Sequence, residues 1–127
     1  MSARILIVED HPANLELMRY LLAAYGHTVL VATDGPSGLA AAARTRPDLV
    51  LCDLQLPGYD GFELLRRLRA DASIAALPVV AVTALAMVGD REKVRAAGFD
   101  GYMPKPIEPT TFVAEVESYL RKRARDP

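Results

Sequence analysis

The side chains with chemical potential in this 127-residue chain recur at one kind of place, the end of an apolar run. Ile5–Val8 runs into Glu9 and Asp10, and Leu49–Cys52 into Asp53. Pro78–Val82 runs into Thr83, and a weaker run at Gly101–Met103 is soon followed by Lys105. Thr28–Val31 alone ends without an obvious group of this kind. A carboxylate at the end of a buried strand is costly unless something there favours negative charge. Three carboxylates at one place repel: two unit charges about 4 Å apart cost on the order of 4 kcal/mol at an effective dielectric of ~20. Either one stays protonated or a cation joins them. A hard divalent ion suits such oxygen ligands, and magnesium takes one or two carboxylates, keeps several waters and accepts phosphate oxygens. The Lys105 ammonium and the Thr83 hydroxyl would make the metal-loaded pocket cationic. That pocket stabilises a phosphoryl group, whose transfer is catalysed mainly by positioning and charge neutralisation. No Ser–His pair, Cys–His pair or metal-ligand histidine spacing competes, and His11 and His27 stand apart from such patterns.

Elements of a particular kind must gather these ends. The apolar runs are mostly continuous rather than alternating, as expected of parallel strands covered on both faces. Helix-like segments separate them. Leu15, Met18, Leu22 and Tyr25 recur at three- and four-residue steps up to Gly26. Pro36 opens an alanine-rich helix that ends before Pro47; Gly38 inside it should weaken it relative to alanine. Residues 61–71 put Leu64, Leu65 and Leu68 on one face, and residues 87–97 carry a thin apolar stripe ending at Gly98. The last helix starts near Pro109 and turns Phe112, Val113, Val116 and Leu120 inward. Strand–helix repeated in this way predicts an α/β fold, a parallel sheet with helices on both faces. Sites in such open sheets form beyond the carboxyl ends of the strands, at the switch in strand order. Pro57–Gly58, shortly after Asp53, predicts a turn that brings the backbone round the site.

The remaining features narrow the function class. The length suits one compact domain, and a hydrophobic fraction of 51% is ample for a core. A formal net charge of -1 argues against a general nucleic-acid binder. No apolar stretch approaches the length of a membrane span, so membrane insertion is not expected. The opening MSARILIVED passes directly into a strand-like run and is unlike a signal peptide. The single Cys52 excludes an intrachain disulfide and fits a reducing cytoplasm.

Taken together and in order, Glu9–Asp10, Asp53 with its following LQLPGYDG, Thr83–Ala84, and Tyr102-Met-Pro-Lys105-Pro106 resemble the receiver domain of two-component response regulators. The resemblance runs from about Arg4 to Leu120. It implies a flavodoxin-like (CheY-like) five-stranded parallel sheet in the order 2-1-3-4-5 with five helices, and a cis Lys105–Pro106 bond. Asp53 would be the nucleophile that takes a phosphoryl group from a kinase phosphohistidine. Mg2+ would be held by Asp10, Asp53 and the backbone carbonyl of Gln55, with Glu9 acting largely through water. Lys105 would pair with phosphoryl oxygens, and Thr83 would hydrogen-bond one of them and shift on phosphorylation. Tyr102 would then swing inward, coupling the site to the face of helix four, strand five and helix five. The implied partners are a sensor histidine kinase or histidine phosphotransfer protein and a downstream protein target, with no direct nucleic-acid contact. The chain would be a monomer or weak dimer. It would be no enzyme beyond catalysing its own phosphorylation and dephosphorylation.

The residues beyond Lys105 suffice for the last helix and leave no room for an output domain. The expectation is therefore one receiver domain over residues 1–127, core about 4–120, acting alone in the manner of chemotaxis and cell-cycle regulators. Two other classes share features with it. A small magnesium-dependent phosphohydrolase would need a second acid–base aspartate where Gln55 stands, and a cap region. A flavodoxin-like cofactor binder would need a phosphate-cradling loop where EDHPAN follows the first strand. Gln55 and Tyr59 depart from the commonest receiver pattern; the residue at Gln55 tends to influence how long the phosphoryl group survives.

Overall fold

The computed structural model describes residues 1–84 and 89–125, with side chains through Lys122. In chain order the elements are β1 (Arg4–Val8), α1 (Pro12–Ala24), β2 (Thr28–Ala32), α2 (Gly35–Thr45) and β3 (Leu49–Cys52). Then come α3 (Gly61–Ala70), β4 (Val79–Thr83), α4 (Asp90–Ala97), β5 (Gly101–Pro104) and α5 (Phe112–Arg125). The strands form a five-stranded sheet in the order β2-β1-β3-β4-β5, every neighbouring pair parallel. This is the flavodoxin-like order, with the reversal at β1, which has β2 on one side and β3 on the other.

Past Arg4, the three central strands β1, β3 and β4 are buried on both faces, which is why their sequences do not alternate, while the edge strands β2 and β5 are partly exposed. Ile5, Ile7, Leu49, Leu51, Val80 and Val82 join Met18 and Leu22 of α1 and Phe112, Val113, Val116 and Leu120 of α5 in one layer. Leu6, Val8, Val50, Cys52, Val79 and Ala81 pack in the other layer, against Ala41, Ala42, Leu64, Leu65, Leu68 and Val94. Alternate residues of each strand thus serve opposite layers.

Local chemistry fixes the helix ends. The Asp34 carboxylate accepts from the Ser37 N–H at 2.7 Å and opens α2; Asp60 accepts from the Glu63 N–H at 2.9 Å and opens α3. Gly26 and Gly98 stop α1 and α4 with φ of 89° and 105°. Helix α1 has His11 at its N-cap with no side-chain cap, so Asp10 is not spent on capping.

Three expectations need correction. Tyr25 lies outside the apolar stripe of α1 and is 64% exposed. It is the C-cap, at φ −99° and ψ 14°, where helical phase is lost. Gly38, whatever it costs the helix in propensity, is also a packing site. A Cβ there would stand 3.0 Å from both methyl groups of Val8, so glycine lets α2 lie close on β1. Strand β4 begins at Val79 rather than Pro78 and includes Thr83, and α5 begins at Phe112, beyond Pro109. Of the span assigned to the fourth helix, residues 87 and 88 lie outside the described residues.

His27, which the sequence left without a role, is buried between chain ends. Its Nδ1 accepts from the Ala3 N–H at 3.1 Å, so its Nε2 donates to Glu117 of α5 at 2.8 Å. Among the described residues no helix is long and apolar enough to cross a membrane.

Candidate functional site

Parallel pairing carries the chemical groups to one edge. The ladder continues one residue past three strands. The Glu9 N–H donates to Ala32 O and the Asp53 N–H to Val8 O, each at 3.0 Å, and the Lys105 N–H donates to Thr83 O at 2.9 Å. Glu9 and Asp53 therefore leave adjacent strands at the same level, at the switch in strand order. Thr83 is fully buried at the end of β4, opposite Pro104 in register.

The side chains converge. Lys105 Nζ lies 2.8 Å from Asp53 Oδ2 and 2.5 Å from Glu9 Oε1. Carboxylate oxygens of Glu9, Asp10 and Asp53 all lie within 4.8 Å of one another. Asp53 Oδ1 accepts from the Gln55 N–H at 3.1 Å, and Glu9 Oε2 from the His11 N–H at 3.1 Å. Asp10 is exposed at the rim, while Glu9 and Asp53 are buried. Burial pushes the Glu9 carboxyl above its ordinary range, and the Lys105 pairing only partly offsets that. Burial works against the Lys105 charge too, but its hydrogen bond to Asp53 and the Glu9 carboxylate beside it outweigh that and hold the ammonium above the usual lysine value. Beside them Cys52 is a buried thiol, pushed far up by desolvation, and inert.

The donor set fits a hard divalent cation. Its donors are all oxygens, and one ammonium faces three carboxylates. Glu9 Oε1 is buried with no aligned hydrogen bond, although Lys105 sits beside it as a charge.

The loop after Asp53 is shaped by contacts absent from the motif reading. A Cβ on Gly61 would stand 2.5 Å from Asp53 O, so only glycine lets α3 start against the Asp53 backbone. Gly58 adopts φ 83°, and the predicted turn at Pro57–Gly58 folds onto α2: the Gly35 N–H donates to Pro57 O at 3.1 Å. The Tyr59 ring lies against Gly35, and the Arg67 guanidinium stacks 4.4 Å from the ring centroid. The recurring Asp-Gly at 60–61 is the one sequence signal that could have marked this approach. Tyr102, half-buried in β5, has the Arg91 guanidinium 5.3 Å over its ring. The Lys105–Pro106 bond is cis.

Comparison with known proteins agrees with this architecture. Residues 5–117 match the response regulator receiver domain. The chain is 40% identical to the polar-differentiation response regulator DivK of Brucella anthropi, over 94% of this chain and 98% of DivK. It is 43% identical to the response regulator PleD of Caulobacter vibrioides over 95% of this chain, which spans only 27% of PleD. Among solved structures it resembles the receiver domain of the sensor histidine kinase PA1611 from Pseudomonas aeruginosa, which has a magnesium ion coordinated in its active-site cleft. The TM-score is 0.82 at 34% identity, covering 96% of this chain and 97% of that one. A parallel sheet in the order β2-β1-β3-β4-β5, ending in this acidic nest beside a lysine, together with a match along nearly its whole length, makes the chain a member of the response regulator receiver domain family.

Proposed function

We propose that this protein is a stand-alone cytoplasmic receiver. It accepts a phosphoryl group on Asp53 from a histidine kinase or histidine phosphotransfer protein. It then signals by phosphorylation-dependent protein binding through the face of α4, β5 and α5. The observation that carries the reading is the Lys105 ammonium 2.8 Å from Asp53 Oδ2, inside a nest of three carboxylates.

In the transfer, a carboxylate oxygen of Asp53 attacks phosphorus. An O–P bond forms, the P–N bond to the donor imidazole breaks, and the imidazole leaves and takes up a proton. Asp53 is oriented for attack by the Gln55 N–H on Oδ1. Lys105 exchanges its pairing with Asp53 for the oxygens of the incoming group, and Thr83, at the adjacent strand end, donates to one of them. Asp10, Asp53 and the Gln55 carbonyl, with Glu9 behind, would hold Mg2+, which would supply the charge neutralisation that phosphoryl transfer needs. Tyr102 shifts with Thr83 and passes the state of the site to the binding face. The chain turns over no other substrate, works as a monomer or weak dimer, and contacts no nucleic acid directly.

Incubation with a small phosphodonor and Mg2+, followed by intact and peptide mass spectrometry, tests the reading. One phosphoryl group on Asp53, absent from Asp53→Asn, is expected. Modification elsewhere, or none, overturns it.

A further inference from the structure

Residues 54–60 join Asp53 to α3 and include Gln55, whose N–H donates to Asp53 Oδ1 at 3.1 Å. The tip of this loop leans on the first turn of α2. A Cβ at Gly58 would stand 2.7 Å from Pro36 Cδ, and a Cβ at Gly35 would stand 2.5 Å from Tyr59 Cδ1 and 2.6 Å from Tyr59 O. Two bare α-carbons thus let tip and helix meet, and the Gly35 N–H donates to Pro57 O at 3.1 Å across the seam. The Tyr59 ring also lies beneath Arg67 of α3, whose guanidinium carbon is 4.4 Å from the ring centroid. Arg67 is itself held, its Nε donating to Glu63 Oε2 at 2.8 Å one turn earlier. One ring therefore bridges α2 and α3, the two helices beside the loop. Of residues 55–60 only Leu56 and Tyr59 are partly buried; the others are exposed. Leu56 packs down onto the core, so Tyr59 is the side chain that fastens the outer part of the loop.

We infer that Tyr59 is a positioning residue for the metal: its ring, clamped between Gly35 and Arg67, holds the Gln55 backbone where Mg2+ would take the carbonyl, and so sets the magnesium affinity. This rests on the receiver reading above and adds to it a residue outside the carboxylate nest. The physical reason is the cost of ordering. A loop that fluctuates in the metal-free protein must give up that freedom when its carbonyl takes a cation, whereas a loop already fastened has little left to lose. Groups that support a ligand from behind typically matter about 10–100-fold in metal affinity. Tyr59 acts on Gln55 through the backbone between them, so the lower end applies, about 10-fold. Both clamping contacts are made by the ring, so phenylalanine serves as well as tyrosine. An aliphatic side chain forfeits the contact with Arg67, which needs a π face. A purely packing role would instead stabilise the fold and leave the magnesium affinity of the folded protein unchanged.

The test compares the full chain with Tyr59→Phe, Tyr59→Ala and Arg67→Met. Leu39→Ala, which thins the same core layer from α2, controls for lost packing. Mg2+ affinity is read by calorimetric titration of the folded proteins. Mass spectrometry reads the Mg2+ concentration that gives half-maximal Asp53 phosphorylation by a small phosphodonor. Tyr59→Ala should bind Mg2+ about 10-fold more weakly and need correspondingly more of it for half-maximal phosphorylation. In the metal-free protein its Gln55 amide should exchange with solvent faster than the parent's. Tyr59→Phe should match the parent in all three readouts, and Arg67→Met should fall between Phe and Ala. Leu39→Ala should melt earlier and bind Mg2+ as the parent does. Parent-like affinity in Tyr59→Ala, an equal loss in Tyr59→Phe, or an equal loss in Leu39→Ala each overturns the inference. Should Tyr59→Ala fail to fold, Arg67→Met carries the test, and parent-like affinity with unchanged Gln55 exchange in that variant is the overturning result. A parent chain that neither binds Mg2+ nor takes a phosphoryl group on Asp53 overturns the receiver reading and this inference with it. A competent parent beside an unmoved Tyr59→Ala overturns this inference alone.

Discussion

Replacing Lys105 with methionine keeps the length of the stem and removes the ammonium from the nest. That ammonium is 2.8 Å from Asp53 and 2.5 Å from Glu9, with 10% of the Lys105 side chain and 1% of Glu9 exposed. Removing one partner of a buried ion pair leaves uncompensated charge and costs about 3–5 kcal/mol. The nest opens to water at Asp10, so the lower end applies, about 3 kcal/mol. Repulsion between carboxylates 4.8 Å apart, the outer limit of the cluster, is about 3.5 kcal/mol at an effective dielectric of ~20, the same size. The pH dependence follows from the two shifted groups. Lys105 is held above its ordinary value of 10.5, so its contribution is present below that pH and lost as pH rises through the higher folded value. Glu9 is held above its ordinary 4.5, so the native state binds that proton more tightly and stability falls as pH rises between 4.5 and the folded value. Deleting Lys105 removes an interaction that lowers the Glu9 value, and so widens the window upward. Urea unfolding followed by circular dichroism should show Lys105→Met less stable by about 3 kcal/mol at neutral pH. The gap should narrow as acid protonates Glu9. Added Mg2+ should restore part of the loss and should bind the variant more tightly than the parent, since a competing cation is gone. Equal stability of the two proteins at neutral pH, or a gap that widens on acidification, would refute the electrostatic account of the nest.

Asp10→Ala should abolish magnesium binding in a calorimetric titration while changing stability by no more than about 0.5 kcal/mol, because Asp10 is exposed. Phosphorylation should alter amide exchange around Tyr102 and α4; exchange there that ignores the phosphoryl group would remove the proposed switch. Gly38→Ala tests the close approach of α2 to β1. Alanine gains up to about 1 kcal/mol of helix propensity, but crowding two Val8 methyl groups at 3.0 Å costs about 1–3 kcal/mol, so denaturant melts should show net destabilisation.

Much of this protein is legible in the sequence because parallel strands covered on both faces write themselves as unbroken apolar runs. Ile5–Val8 and Leu49–Cys52 have no polar position to blur them, and the residues just past them can be read directly as what the sheet edge presents. Glu9, Asp10, Asp53, Thr83 and Lys105 were therefore visible as a set before any coordinates. Helix faces were legible where the stripe was wide, as in Leu64, Leu65 and Leu68, and failed at Tyr25, where the helix ends and periodicity no longer dictates direction.

What the tertiary structure alone decided is a set of close approaches between residues distant along the chain. Gly38 reads only as a weak helix residue until Val8 is seen against it, and Gly101 matters only because the Tyr119 ring lies where a side chain would stand. Gly61 under Asp53 and Tyr59 against Gly35 shape the loop that follows Asp53, and the buried His27 joins Ala3 to Glu117. Propensity and periodicity act on neighbours in sequence. A missing Cβ or a satisfied buried nitrogen acquires its meaning from whatever the fold brings opposite it.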